Sequence, residues 1–129
     1  MSVRAHRWTV RLTAAAEADF QEILRWTSGQ FGEVQARVYA ETLSAALNAL
    51  AAGPMVAGAR ERNDIAKGIS TLHVARKGRK GRHFIMFRIG HDQGHEVIDE
   101  VIDEVIEILR LLHDAMDLQR HLPPTDESM

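Results

Sequence analysis

The chain of 129 residues contains no cysteine, three prolines, one tyrosine and two tryptophans. Zero cysteine excludes a disulfide framework and any thiolate metal site, and it fits a reducing compartment. The cytoplasm is the expected location. Long hydrophobic runs are also missing. The longest uncharged stretch, Thr42 to Ala59, contains Ser44, Asn48 and a Gly53-Pro54 break, so no helix there is expected to cross a bilayer. The first residues, Met1-Ser-Val-Arg-Ala-His-Arg-Trp8, lack the apolar core of a secretory signal. Neither membrane insertion nor export is expected.

What is present reads as one soluble domain, 45% apolar and 26% charged. It is expected to span residues 1–122, with a loose polar tail at 123–129. The net charge of -2 hides a segregation. Glu96, Asp99, Glu100, Asp103, Glu104 and Glu107 share one window without a cation, whereas Arg76, Lys77, Arg79, Lys80 and Arg82 crowd a short stretch spaced by Gly78 and Gly81. Such a basic loop suits phosphate or an acidic protein surface.

Alternation over Arg7 to Leu12, with Trp8, Val10 and Leu12 on one side, predicts a half-buried strand. Thr13 is a plausible N-cap for a helix opening at Ala14, whose stripe is Ala16, Phe20, Ile23, Leu24 and Thr27, ending at Gly29 or Gly32. A second helix is expected from Glu33 to Ala52, with Ala36, Tyr39, Leu43, Ala46, Leu47 and Leu50 on its apolar face. Phe20, Trp26, Tyr39 and Leu43 are expected to serve first as core. Ile69 to Ala75, His83 to Ile89 and Val105 to Leu112 read as strands, the middle one apolar on both sides and therefore internal. The order β-α-α-β-β-β implies an α+β fold, a helical hairpin on one face of a mostly antiparallel sheet. A short C-terminal helix or extended segment from Asp114 to Leu122 completes it. Val97-Ile-Asp-Glu and Val101-Ile-Asp-Glu repeat within an acidic insertion at about 96–106.

Leu12-Thr-Ala-Ala-Ala-Glu-Ala-Asp-Phe-Gln-Glu-Ile23, Gly81-Arg-His-Phe-Ile-Met-Phe-Arg88 and the terminal L-R-x-L-H-x-x-M-D-x-x-R-H-L pattern of Leu109 to Leu122 together resemble the RelE/ParE toxins of type II toxin-antitoxin systems. The ParE branch matches best, over about residues 8 to 122. This resemblance implies a toxin of a plasmid stabilisation-like module that arrests growth by poisoning DNA gyrase. It also implies a hetero-oligomer with a ParD-like ribbon-helix-helix antitoxin, through which alone the toxin would reach operator DNA. Arg76, Lys77, Arg79, Lys80, Arg82 and His83 are the candidates for target contact. Arg110, His113, Met116, Asp117 and Arg120 form the candidate C-terminal functional element.

RelE-like members cleave mRNA on the ribosome, using Lys, Arg, His or Glu, and Tyr as acid, base and cation. Here the C-terminal tyrosine is missing, and the sole tyrosine, Tyr39, sits on a helix stripe. Arg88, Arg110 and His113 are the residues left for a ribonuclease, if they converge; otherwise Arg110 and His113 serve as a hydrogen-bonded anchor. No catalytic residue is therefore assigned on the ParE reading. An inactive toxin retained as an antitoxin partner is the third possibility. His91 with His95, and His113 with Asp117 and His121, have metal-like spacing but no further ligands, so neither metal nor cofactor is expected. Single-stranded nucleic acid readers interleave cations with exposed aromatics, and the basic loop has no aromatic, which argues against nucleic-acid binding by the isolated chain.

Overall fold

The computed structural model describes residues 8–90 and 104–115. Strand β1 (Thr9–Leu12) leads into helix α1 (Ala14–Phe31) and helix α2 (Glu33–Ala49), followed by β2 (Arg60–Glu61), β3 (Ser70–His73), β4 (His83–Gly90) and β5 (Val105–His113). The strands form one sheet in the order β1-β5-β4-β3-β2. β1 runs parallel to β5, and every other pair is antiparallel. The expected α+β arrangement is present, with one strand more than the sequence suggested. β2 is only two residues long, too short to carry an alternation signal.

Both helices begin and end where local chemistry dictates. Thr13 caps α1 by accepting the Ala16 amide at 3.2 Å. Gly32, at φ +95°, ends α1 and starts α2, so a single left-handed residue makes the turn between antiparallel helices. The α-helical part of α2 stops at Ala49, and Leu50–Ala52 continue as a 3₁₀ turn where the sequence predicted α-helix to Ala52. Gly53, whose amide bonds back to the Leu50 carbonyl, closes that turn.

Leu43, Ala46, Leu47 and Leu50 of the second helical segment pack with Ala16 against Leu72, Val74, Ile85, Phe87, Ile106, Ile108 and Leu111 of the sheet. Each large side chain so buried contributes about 1.5–3 kcal/mol. The opposite face has its own cluster, Met86, Leu109 and Leu112 with Ile65 and Ile69 from the segment before β3. β4 is thus covered on both faces, as its continuous apolar pattern implies. Trp26 is the exception among the expected core residues: it is 58% exposed. The buried positions of α1 are Ala16 and Thr27, and Trp26 lies beside that line rather than on it.

β5 holds one extra residue. Met86 faces Arg110 and Phe87 faces Ile108, so Leu109 has no opposite partner, and the bulge lets Ile106, Ile108 and Leu111 all reach the helix side. β1 covers only the first four residues of β5, leaving the rest of that edge to be satisfied otherwise. The Thr13 amide donates to the Ile108 carbonyl at 3.0 Å, and its hydroxyl lies 2.9 and 3.1 Å from the carbonyls of Ile108 and Leu109. Asp19 then accepts the Leu111 amide at 2.9 Å and grips the Arg110 guanidinium through two bonds of 2.7 and 2.9 Å. The first turns of α1 substitute for the missing strand.

Replacing Asp19 with alanine should cost about 2–3 kcal/mol, because a charge-assisted bidentate pair and a backbone cap are lost together. Asp19→Asn should cost less, since one oxygen still accepts the Leu111 amide. Urea unfolding midpoints of the two variants measure the difference. Equal midpoints would show that the Leu111 backbone cap adds nothing beyond the Arg110 charge pair.

Candidate functional site

The starts and ends of the central strands bring three histidines to one end of the sheet. His83 opens β4, His113 closes β5 directly opposite it, and His73 closes β3. The His83 and His113 rings meet edge to face at 5.4 Å. Tyr39 reaches them from α2: its oxygen accepts the Arg82 amide at 3.0 Å and lies 2.7 Å from His83 Nδ1, to which we assign its hydroxyl proton. His83 therefore carries its ring proton on Nε2. His113 Nδ1 accepts the Ala115 amide at 3.1 Å and His73 Nδ1 accepts the Ala75 amide at 3.0 Å, which leaves both of those rings protonated on Nε2 as well.

Burial first, and then the neighbouring His113, pushes His83 down to about 4 from an ordinary value of 6.5. Burial likewise pushes the Tyr39 phenol up. The pair is thus locked as neutral imidazole and protonated phenol. Asp114, the residue after His113, accepts from His73 Nε2 at 3.0 Å and from Arg82 Nε at 3.3 Å. The His73 bond, followed by the Arg82 charge, holds its carboxyl below the usual range.

Gly81 makes the Tyr39 contact sterically feasible. A Cβ there would fall 2.5 Å from Val74 Cγ2 and 2.9 Å from the Tyr39 oxygen, so only glycine lets the chain pass between them. The connection from β3 to β4 is the basic loop. Its tip is a tight turn, with Lys77 and Gly78 at φ +54° and +82° and the Arg79 amide bonded to the Arg76 carbonyl. Arg76 is tied to the Ala57 carbonyl at 3.1 Å, Arg79 approaches the Thr42 hydroxyl at 3.4 Å, and Arg82 pairs with Asp114. Lys77 and Lys80 are exposed and make no such contact among the described residues.

Between this loop and the two helices lies an open groove of about 1010 Å³. Trp26, Phe31, Val38 and Tyr39 wall one side, Arg79, Lys80 and Arg82 the other, and His83 and His113 are also part of the lining. Of the target-contact candidates, Arg79, Lys80, Arg82 and His83 therefore share one cavity with His113.

The ribonuclease trio does not converge. Arg88 sits toward the far end of β4, where it pairs with Glu107 at 2.9 Å, and Glu107 also lies 3.8 Å from Arg11. Those three residues form a ladder across β4, β5 and β1. Arg110 is held by Asp19, which makes it the anchor between the first helix and the last strand. Met116, Asp117, Arg120 and His121, the His91–His95 pair, the repeat up to Asp103 and the segment expected as a C-terminal helix lie outside the described residues, apart from Asp114 and Ala115 in a turn. Among the described residues no group of three or more His, Asp or Glu side chains is placed to hold a metal ion.

A family model described as "ParE toxin of type II toxin-antitoxin system, parDE" matches residues 10–118. The chain belongs to the ParE toxins. No curated protein matches it. Among solved structures it is similar to the chromosomal ParDE TA system from P. aeruginosa, with 19% identity, a TM-score of 0.59, and coverage of 84% of this chain and 97% of that one. It is also similar to the toxin-antitoxin complex RelBE2 from Mycobacterium tuberculosis, with 20% identity, a TM-score of 0.50, and coverage of 83% and 98%. At such identities the likeness is one of fold. In this ParE chain no described helix is long and apolar enough to cross a membrane.

Sequence reasoning gave no role in the site to Tyr39, His73, Asp114, Trp26 or Phe31. For Tyr39 a signal existed: a phenol on an otherwise apolar stripe needs a partner for its hydroxyl. For Trp26 and Phe31, distant in sequence from the basic loop, there was none.

The pH dependence of stability should report the His83 lock. Between its ordinary value of 6.5 and about 4, the unfolded chain binds a proton that folded His83 refuses. Its contribution is fully present above pH 6.5 and is lost as pH falls toward 4. In His83→Gln the loss of stability between pH 7 and pH 4 should be smaller by about 1–2 kcal/mol, allowing for solvent screening of a half-exposed ring. Unfolding free energies of both proteins across that range test this.

Proposed function

We propose that this ParE chain arrests growth by poisoning DNA gyrase, and that it acts by binding rather than by catalysis. The family match over residues 10–118 carries this reading. The geometry supports it in two ways. First, Arg88 and Arg110 are each engaged by a carboxylate, Arg88 by Glu107 near the start of β5 and Arg110 by Asp19 of α1, so they offer no concerted set of cations around an acid or base. Second, the sole tyrosine has its hydroxyl committed to His83 and Arg82, which leaves no free phenol to act as a proton donor.

In this reading the target meets the hairpin between β3 and β4. Lys77 and Lys80 project from a loop whose other cations brace it against the body, through Ala57, Thr42 and Asp114. A braced loop presents charge at low entropic cost, which favours a tight contact. Arg110 and His113 support the site from β5, with Met116, Asp117 and Arg120 as the proposed continuation of that element. The neutralising partner is a ParD-like antitoxin in a hetero-oligomer, and contact with operator DNA passes through it. The two similar folds are described as a ParDE TA system and a RelBE2 toxin-antitoxin complex.

The alternative is an mRNA endonuclease built on the histidine pair. The edge-to-face approach of His83 and His113 beside Arg82 favours it. Against it stands His83 itself, whose low affinity for protons makes it a poor general base near neutral pH.

Purified gyrase titrated with this chain should lose supercoiling and accumulate linear DNA, while mRNA on ribosomes given the same preparation stays intact. Lys77→Glu combined with Lys80→Glu should weaken that inhibition more than tenfold with antitoxin binding retained. Normal supercoiling with cut RNA would replace the gyrase reading by the endonuclease one. Normal supercoiling with intact RNA would sink both.

A further inference from the structure

The groove between α1, α2 and the basic hairpin has two unlike walls. On the helix side, Trp26 and Phe31 are 58% and 63% exposed and pack edge to face with centroids 5.9 Å apart. That arrangement leaves ring faces open to solvent, although large aromatic side chains are ordinarily covered. On the hairpin side stand Arg79, Lys80 and Arg82. No carboxylate is among the described residues lining the groove; Asp114 pairs with Arg82 from behind the wall, so Arg79 and Lys80 carry most of its positive charge. The basic loop has no aromatic of its own, but the helical hairpin places two beside it.

We propose that this groove binds a short stretch of single-stranded nucleic acid, with phosphates along the β3–β4 hairpin and bases stacked on Trp26 and Phe31. A nucleotide chain carries anionic oxygens along one edge and π-faces along the other, and the two walls match that division. Stacking on exposed aromatics combined with a cationic track is the recognition mode of sequence-tolerant single-strand binders. The floor adds polar donors, since His83 and His113 each carry a ring proton on Nε2. A volume of about 1010 Å³ is at the upper end of small-ligand pockets, which leaves room for a few nucleotides. Duplex DNA fits less well, because its bases are already stacked and paired. This inference stands apart from the gyrase reading: it concerns a ligand the chain binds by itself.

The test uses the purified full-length chain and a fluorescently labelled short oligothymidylate, followed by anisotropy at several salt concentrations. Saturable binding is expected, with a log–log salt slope of about -2, corresponding to roughly three neutralised phosphates on a single strand. Trp26→Ala should weaken binding about tenfold with a small change in the salt slope, as loss of a stacked base predicts. Lys80→Glu should weaken it and flatten the slope by about one unit or more. Met55→Ala, at an 84% exposed position outside the groove, should change nothing. Absence of binding, or binding indifferent to Trp26→Ala, would overturn the proposal. So would preferential capture of an acidic amphipathic peptide of equal charge, which would assign the groove to a protein partner. Because no gyrase is present, failure here leaves the gyrase reading as it was.

Discussion

The fold depends on how the edge of β5 is completed. Four residues of β1 pair with its first half, and the amides and carbonyls beyond would face solvent or an apolar helix without partners. Thr13 and Asp19 supply what a longer strand would have supplied, and Asp19 does so with a charge that also holds Arg110. These bonds join residues more than ninety positions apart and tie α1 to the last strand of the sheet. Once α1 is placed, Gly32 directs α2, and α2 in turn determines where Tyr39 emerges.

Tyr39 links that scaffold to the site. Its hydroxyl is the meeting point of three elements: the helix it belongs to, the last loop residue before β4, and the first residue of β4. The hairpin is therefore braced at its base by a neutral hydrogen-bonded chain and along its flank by Arg79 on Thr42 and Arg76 on Ala57. Exposed ion pairs such as Arg82–Asp114 add little stability on their own. Their effect is to orient the loop, with Lys77 and Lys80 left exposed on it. The same bracing forms one wall of the groove, which makes the loop's position and the groove's shape one structural fact.

The bulge at Leu109 shows why the last strand resists simple reading. Strict alternation would put Ile106, Ile108 and Arg110 on one face, yet the helix-side core takes Ile106, Ile108 and Leu111. One extra residue exchanges the faces, and no local sequence rule announces it. Arg110 could thus pass for a catalytic cation in the sequence, whereas its real partner is a carboxylate on a helix at the other end of the chain. Trp26 misleads in the opposite sense. Its apolar character suggests core, but Ala16 and Thr27 take the buried line of α1 and leave the indole on the groove wall.

Periodicity, a threonine cap and two glycine stops were sufficient to determine the two helices, the inner strand and the α+β order, because these depend on interactions within a few residues. The three motifs in their order were likewise enough to point to the ParE toxins. Only tertiary structure decided which side chains share a site. The convergence of His73, His83, His113 and Asp114 depends on strand register, the role of Tyr39 on the angle of α2, and the sharing of one groove by Trp26 and Lys80 on the packing of the helical hairpin over the sheet. Register, helix angle and bulges are set by packing between distant segments, whose energies no single stretch of sequence contains.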